Sequence, residues 1–398
     1  MSMDHRRTTW IIAWIAFGTG AGTPRAEVDA NRTAFVGVSV LPMSADTLLS
    51  GHTVLVENGV ITQVGPRSAI PVPVGTRVVQ GNGRVLMPGL TDMHVHLDHE
   101  ADLERYLAAG VTLVRNMRGE PRHLQWRNEI KAGRRQGPRI ITTGPTLTGA
   151  VRMNPLHVSV TNGAEISKEV RAQAEAGYDL VKVHSGLSAG LLRLVGAVAD
   201  STHQSLVGHL MAGGLSVALA AHQASIEHVD ADEWTEASID GDMAKLAQAD
   251  AYLCPTFTTF YDGNPETMAG EELRPQPSAR HRAMVTAARG HGVKLLAGTD
   301  AGLPSRQPGT TLVTELGYMA AAGLSPYETL RTATVNAGDF VRHHAPGIPR
   351  VGVLEVGGAA DLILLPADPR ANLGILARVQ GVMVGGRWLD LPSQVRMR

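Results

Sequence analysis

The strongest constraint on this chain is an alternation in its middle portion. Eight short apolar runs occur at Gly89–Leu97, Val111–Asn116, Arg139–Thr143, Leu180–Ser185, Leu206–Leu210, Ser225–Val229, Ala251–Pro255 and Lys294–Asp300. Helix-like segments fill most of the gaps; Ser167–Gly177, for example, ends on a glycine suited to a helix C-cap. Continuous apolar runs this short suit strands buried on both faces, the condition of a parallel sheet covered by helices. Eight such units over about 250 residues match a parallel (β/α)8 barrel, the TIM-barrel architecture, and other α/β sheets satisfy the same pattern. The barrel is expected to span residues 88–349.

The flanks read differently. From Thr33 to Leu86, short valine-rich strands are separated by turn residues, and Asn58-Gly59 between two of them predicts a tight hairpin, since both residues tolerate positive φ. A similar texture returns between Gly352 and Leu391. Neither flank has enough strands for a stable core by itself. Segments 27–87 and 350–398 are therefore expected to pair into one small β-sandwich, with the barrel inserted between them.

Residues 1–26 follow a basic, apolar, small order: Arg6-Arg7, then TTWIIAWIAF, then Gly18 to Thr23. That is the layout of a secretory signal peptide. The apolar run is shorter than the roughly 20 residues of a membrane-spanning helix. A periplasmic or secreted protein is expected, or a cytoplasmic one if the segment is not cleaved. The formal net charge is -1 and no basic stretch stands out, which leaves electrostatic capture of nucleic acid without a footing. With the single cysteine Cys254, no internal disulfide can form.

The chemistry lies where the polar residues fall. Ionisable side chains collect at the C-terminal ends of the proposed strands, the face on which barrel enzymes carry their sites. The first run holds His94-Val95-His96. Residues two apart on a strand share a face, so both imidazoles project into the barrel mouth as a half-site for a borderline metal such as zinc. An isolated HxH says little. Later runs add Lys182 and His184, His209, His228 and Asp300.

With those residues in place, the chain resembles the amidohydrolase superfamily, in particular the branch of imidazolonepropionase-like proteins and metal-dependent Xaa-Pro dipeptidases. The pieces that carry the likeness are LMPGLTDMHVHL, AGVTLVRN, YDLVKVH, SIEHVD, GVKLLAGTDAG, SPYETLRTATVNAG and GAADLILLPADP, from about Thr33 to the C-terminus. The resemblance implies that His94, His96 and Asp300 hold a more buried metal and that His209 and His228 hold a more exposed one. It also implies that Lys182, carrying CO2 as a carbamate, bridges two Zn2+ ions. Chemistry supports the modification: a protonated lysine facing two dications would be repelled, whereas a neutral amine takes up CO2. A neutral lysine beside a single metal remains the alternative. Two metals sharing a hydroxide would polarise a substrate carbonyl, with Asp300 as general base and acid, so hydrolysis of an amide or peptide-like bond is expected. Dipeptides and N-acyl amino acids are the expected substrates, with lactone or ester hydrolysis as the variant.

Further readings are less direct. His184 should face the same pocket as Lys182 and set substrate preference or bond a ligand from behind. Relatives carry another residue there. The branch also often has a Gly-Gly-His stretch where this chain reads GPTLTGAVRMNPLHVSV, so His157 or Arg152 would have to supply contacts from that loop. Tyr261 could reach the substrate or simply pack. Asp92 is expected to close the barrel end or orient a ligand. Asn116 stands where relatives usually have Asp. A deaminase of the same superfamily would place a glutamate soon after His209, whereas the residues that follow are LMAGGL. A scaffold that kept the fold but lost activity would lose ligands first, and all six positions are present. Homo-oligomers are common among relatives.

Overall fold

The computed structural model describes residues 29–152, 154–211, 213–229, 234–235, 237–261, 277–302 and 306–391. The leader-like segment 1–26 lies outside them.

Strands from the two flanks form a single eight-stranded sheet. The long strand Asp29–Val40 pairs antiparallel with Leu49–Glu57 and parallel with Thr76–Gln80 and Val85–Pro88. Val85–Pro88 then pairs antiparallel with Leu362–Leu365, which leads on to Gly381–Val384 and Arg387–Asp390. The join between strands more than 270 residues apart is made by Leu86 opposite Leu364 and Met87 opposite Ile363. Phe35, Val54, Leu86, Leu362, Met383 and Trp388 pack into a shared apolar cluster. Asn58 and Gly59, at φ of 50° and 79°, make the expected hairpin between Leu49–Glu57 and Val60–Pro66.

The middle of the chain runs in parallel βα units. Leu90–Val95, Val111–Asn116 and Arg139–Thr142 form one three-stranded sheet. Leu180–Val183, Ser205–Gly208, Gln223–Glu227 and Tyr252–Cys254 run side by side in a second, joined by the short pair Leu147–Thr148 and Val158–Ser159. Every residue of Leu90–Val95 and Val111–Asn116 is buried, as expected of strands covered on both faces. Isolated parallel bridges link Thr143 to Leu180, Leu253 to Leu295 and Val95 to Ala301. Helices Pro121–Lys131, Gly163–Ala176, Ala189–Ser201, Ile239–Gln248 and Ala279–His291 lie between the strands. Among the described residues no helix is long and apolar enough to cross a membrane.

Two elements differ from the sequence expectation. The helix expected from Ser167 begins at Gly163, because the Asn162 side chain accepts from the backbone N–H of Ala164 and Glu165. Gly177 closes it at φ 88°. The eighth run, Lys294–Asp300, forms no regular strand. Its N–H groups are shared between neighbours: Leu296 donates to Leu253, Ala297 to Thr332 and Asp300 to His94. Gly298 lies so close to its neighbours that a Cβ would meet the Cys254 sulfur at 2.4 Å and the His94 Cβ at 2.8 Å, and Asp300 sits at φ 53°. A left-handed residue and a crowded glycine interrupt the ladder that a strand needs.

Candidate metal centre

The parallel strands end around a cavity of about 290 Å³ whose lining includes His94, His96, Lys182, His209, His228 and Asp300. His157 and His184 line it too. These eight side chains converge although they span more than 200 positions of sequence. Tyr261 ends the short helix Thr258–Tyr261, and its side chain lies outside the described residues. Arg152 is exposed and does not line the cavity.

One wall is tightly braced. His94 is fully buried, and its Nδ1 lies 2.9 Å from a Glu227 oxygen. Arg115, itself buried, grips both Glu227 oxygens at 2.8 and 2.9 Å, and Ser225 donates a further bond. Held by that guanidinium, the carboxylate accepts, so Nδ1 of His94 carries the proton and Nε2 keeps its lone pair. That Nε2 is buried with no hydrogen-bond partner, 3.5 Å from Oδ1 of Asp300. His96 Nε2 lies 2.9 Å from the same oxygen. His228 is held through Nδ1 by Thr256 Oγ1 at 2.7 Å. His228, Thr256 and Asp300 all have positive φ, at 66°, 49° and 53°. Non-glycine residues pay strain for that conformation, and it collects here at the site.

The opposite wall is looser. The rings of His157, His184, His209 and His228 follow one another at centroid separations of 5.2, 4.1 and 4.4 Å. The Nδ1 atoms of His157, His184 and His209 are buried without partners. Arg118, Asn154 and Thr146 complete this side. Arg118 is steadied by Asp98 at 2.5 Å.

Electrostatics keep His94, His157, His184, His209 and His228 neutral. Burial, followed by the charge of Lys182 and the neighbouring His228, holds His94 well below the usual imidazole range. Burial first, then nearby positive charge from His228 and Lys182, does the same to His209. Burial pushes His228, His184 and His157 down to about 4. For the Asp300 carboxyl burial pushes upward, but the hydrogen bond and charge of His96 and the fields of His94 and His228 hold it well below the ordinary carboxylate value. Lys182, buried at the end of Leu180–Val183, is brought down to about 8 by burial. Neutral imidazoles, one carboxylate and a readily deprotonated amine are the donor set of a borderline divalent cation. The ligand atoms of His94, His228 and Asp300 already lie within 4.8 Å of one another. The residues fit a metal.

Sequence reasoning had no role for Glu227, Arg115, Thr256, Arg118 or Asn154. The first two left a signal, a charged residue at or near the end of each of two fully buried strands, where burial demands a partner. Asp92 accepts from the N–H and hydroxyl of Thr299 at 3.1 and 2.7 Å, tying the first strand to the segment that carries Asp300. Burial raises its pKa to about 7. Asn116 does not line the cavity: its oxygen accepts from Leu97 N–H at 3.1 Å and its amide donates to Thr142 Oγ1 at 3.0 Å, ordering the loop after the first strand. Cys254 is a buried strand residue.

Comparison with known proteins accords with this geometry. An imidazolonepropionase of Symbiobacterium thermophilum is 24% identical over 89% of this chain and 94% of its own length. A 5-methylthioadenosine/S-adenosylhomocysteine deaminase of the same bacterium is 35% identical over 97 residues, and the chain spans only 19% of that enzyme. Among solved structures, a protein of Bifidobacterium longum provisionally assigned as a prolidase superposes with a TM-score of 0.76 at 24% identity, over 93% of this chain and 96% of the other. A Xaa-Pro dipeptidase with methionine bound in its active site gives 0.75 at 20% identity, over 90% and 100%. The amidohydrolase family model matches residues 85–389, and the chain belongs to the amidohydrolase family.

Proposed function

We propose that this chain hydrolyses an amide or peptide-like C–N bond in a small substrate of the dipeptide or N-acyl amino acid class. On this reading the parallel strands, with the three isolated bridges between them, close into a (β/α)8 barrel spanning 88–349. The flanking segments 27–87 and 350–398 form the companion domain. The site opens at the C-terminal ends of the barrel strands. The observation that carries the proposal is the bare, buried Nε2 of His94, pinned by Glu227 and aimed at Asp300. A buried nitrogen in that state lacks the bond that burial normally demands, and a cation supplies it.

His94, His96 and Asp300 would hold one ion, and His209 and His228 the other. Lys182 would serve both. Its neutral amine attacks CO2, forming the Nζ–C bond and releasing one proton to solvent, and the carbamate offers two oxygens. Divalent metal at this place supplies Lewis acidity towards the scissile carbonyl and brings the pKa of water to about 7. Asp300 accepts the proton of the attacking water and delivers it to the departing nitrogen. Arg118, His157 and His184 on the opposite wall present N–H donors that suit a substrate carboxylate. The order of residues 1–26 supports a periplasmic or secreted enzyme.

Screening dipeptides and N-acyl amino acids against zinc-loaded protein should reveal release of a free amine. Lys182→Ala should be nearly inactive on the same substrate and partly rescued by short carboxylic acids. Wild-type turnover in that variant without added acid would overturn the bridging role.

A further inference from the structure

Six residues beyond Asp300, Arg306 enters the site from behind. Its side chain is only 3% exposed, and a guanidinium so deeply buried has to be paired. Its NH1 donates to Oδ2 of Asp300 at 3.0 Å and to Thr259 Oγ1 at 2.7 Å. The other carboxylate oxygen, Oδ1, is the one that faces His96 and His94 at 2.9 and 3.5 Å. Asp300 is thus divided, one oxygen for the histidines and one for the arginine.

The arginine's anchor is itself fixed. Phe257 and Thr258 donate their N–H groups to the buried Glu315 carboxylate at 3.0 and 2.8 Å, and Thr258 Oγ1 donates to the Thr299 carbonyl at 2.9 Å. The same loop carries Thr256, which holds His228. Through Thr259, Arg306 is referenced to the loop that sets a second ligand position, so Asp300 and His228 share one rigid support.

We propose that Arg306 is a positioning residue acting through Asp300: its single hydrogen bond holds Oδ2 away from the cation, so that Oδ1 alone is presented to a cation at the histidine cluster while Oδ2 keeps a lone pair for the proton it exchanges. A carboxylate free at both oxygens can chelate an ion or turn away from it. One bonded to a guanidinium at a fixed oxygen has lost both options. The proposal rests on the metal-centre reading above, and the experiment separates the two.

Metal-free protein is titrated with Co2+, and the visible absorption is compared for wild type, Arg306→Met and Arg306→Lys. In the Met variant the freed Oδ2 joins the coordination sphere, so the band should shift and lose intensity as the coordination number rises. The Lys variant, with a single point donor, should fall between it and wild type. A purely structural arginine would leave the Co2+ spectrum unchanged in any variant that still folds. Identical spectra for wild type and Arg306→Met would overturn the assignment. Should the Met variant fail to fold, Thr259→Val removes the anchor alone; a shifted band supports the assignment and an unshifted one overturns it. Failure of the wild type to bind Co2+ would instead remove the metal centre itself.

Discussion

The two walls of the cavity are built from the same residue type to opposite ends. On one side His94, His228 and Asp300 are each held by a named partner: Glu227 with Arg115 behind it, Thr256, and Arg306. On the other, His157, His184 and His209 leave ring nitrogens buried without any bond. A histidine whose second nitrogen is fixed has a defined tautomer and orientation, which a metal ligand needs. A histidine without such a partner can still turn or change tautomer to suit what enters. The braced wall is suited to hold an ion, and the unbraced one to meet the substrate. His96 and His209 cross the division: His96 meets Asp300 but leaves Nδ1 buried without a bond, and the His209 ring lies 4.4 Å from that of His228, yet has no brace.

The largest effect is expected at the brace. Glu227→Ala strips His94 of its partner and leaves Arg115 in the core without a counter-charge, bonded only to Met93 and Ser225, a loss of about 3–5 kcal/mol. Chemical denaturation should register it, and metal affinity should fall roughly 10–100-fold for want of the oriented imidazole. A variant with unchanged stability and metal content would erase the distinction between the walls.

The support beneath the brace should respond to pH. Burial pushes the Glu315 carboxyl up to about 8, above its unfolded value of 4.5. A group whose folded pKa is raised favours the folded state while protonated, and that contribution is lost as pH rises through the folded value. Between pH 5 and pH 9 wild type should therefore lose stability that Glu315→Gln does not. The glutamine variant, weaker at pH 5 through a poorer bond to Phe257 and Thr258, should close the gap by roughly 1–3 kcal/mol at pH 9. Melting temperatures of both proteins across that range are the check, and a constant gap contradicts the reading.

The smallest stability effects belong to the bare wall. His157→Ala and His184→Ala remove rings that make no side-chain hydrogen bond among the described residues, so each should cost less than about 1.5 kcal/mol. Their consequence should appear in KM for a carboxylate-bearing substrate, with metal content unchanged. Loss of metal from either variant would move that wall into the coordination sphere.

Much of the arrangement was legible in the sequence for a physical reason. Parallel strands buried on both faces leave largely apolar runs without alternation, and their ionisable residues gather towards the C-terminal ends, where the cavity is. That brought His94, His96, Lys182, His184, His209, His228 and Asp300 to view as strand-end residues, and the family resemblance singled out six of them as ligands. Glu227 and Arg115 also fall at or next to the ends of their strands, and their charge signals a need for partners, but nothing local says that the pair meets across 112 positions. The Lys294–Asp300 segment looked like a strand from its apolar content. Its backbone is bent by a crowded Gly298 and a left-handed Asp300, features set by neighbours distant in sequence. Arg306 gave no local signal at all, since an arginine in a polar loop ordinarily faces water.

Elemental analysis of purified, active protein is decisive. Two equivalents of divalent metal per chain are expected in the wild type, with loss of metal and of hydrolysis together on chelation or in His94→Ala. Full hydrolytic activity from protein that contains no metal would contradict the assignment.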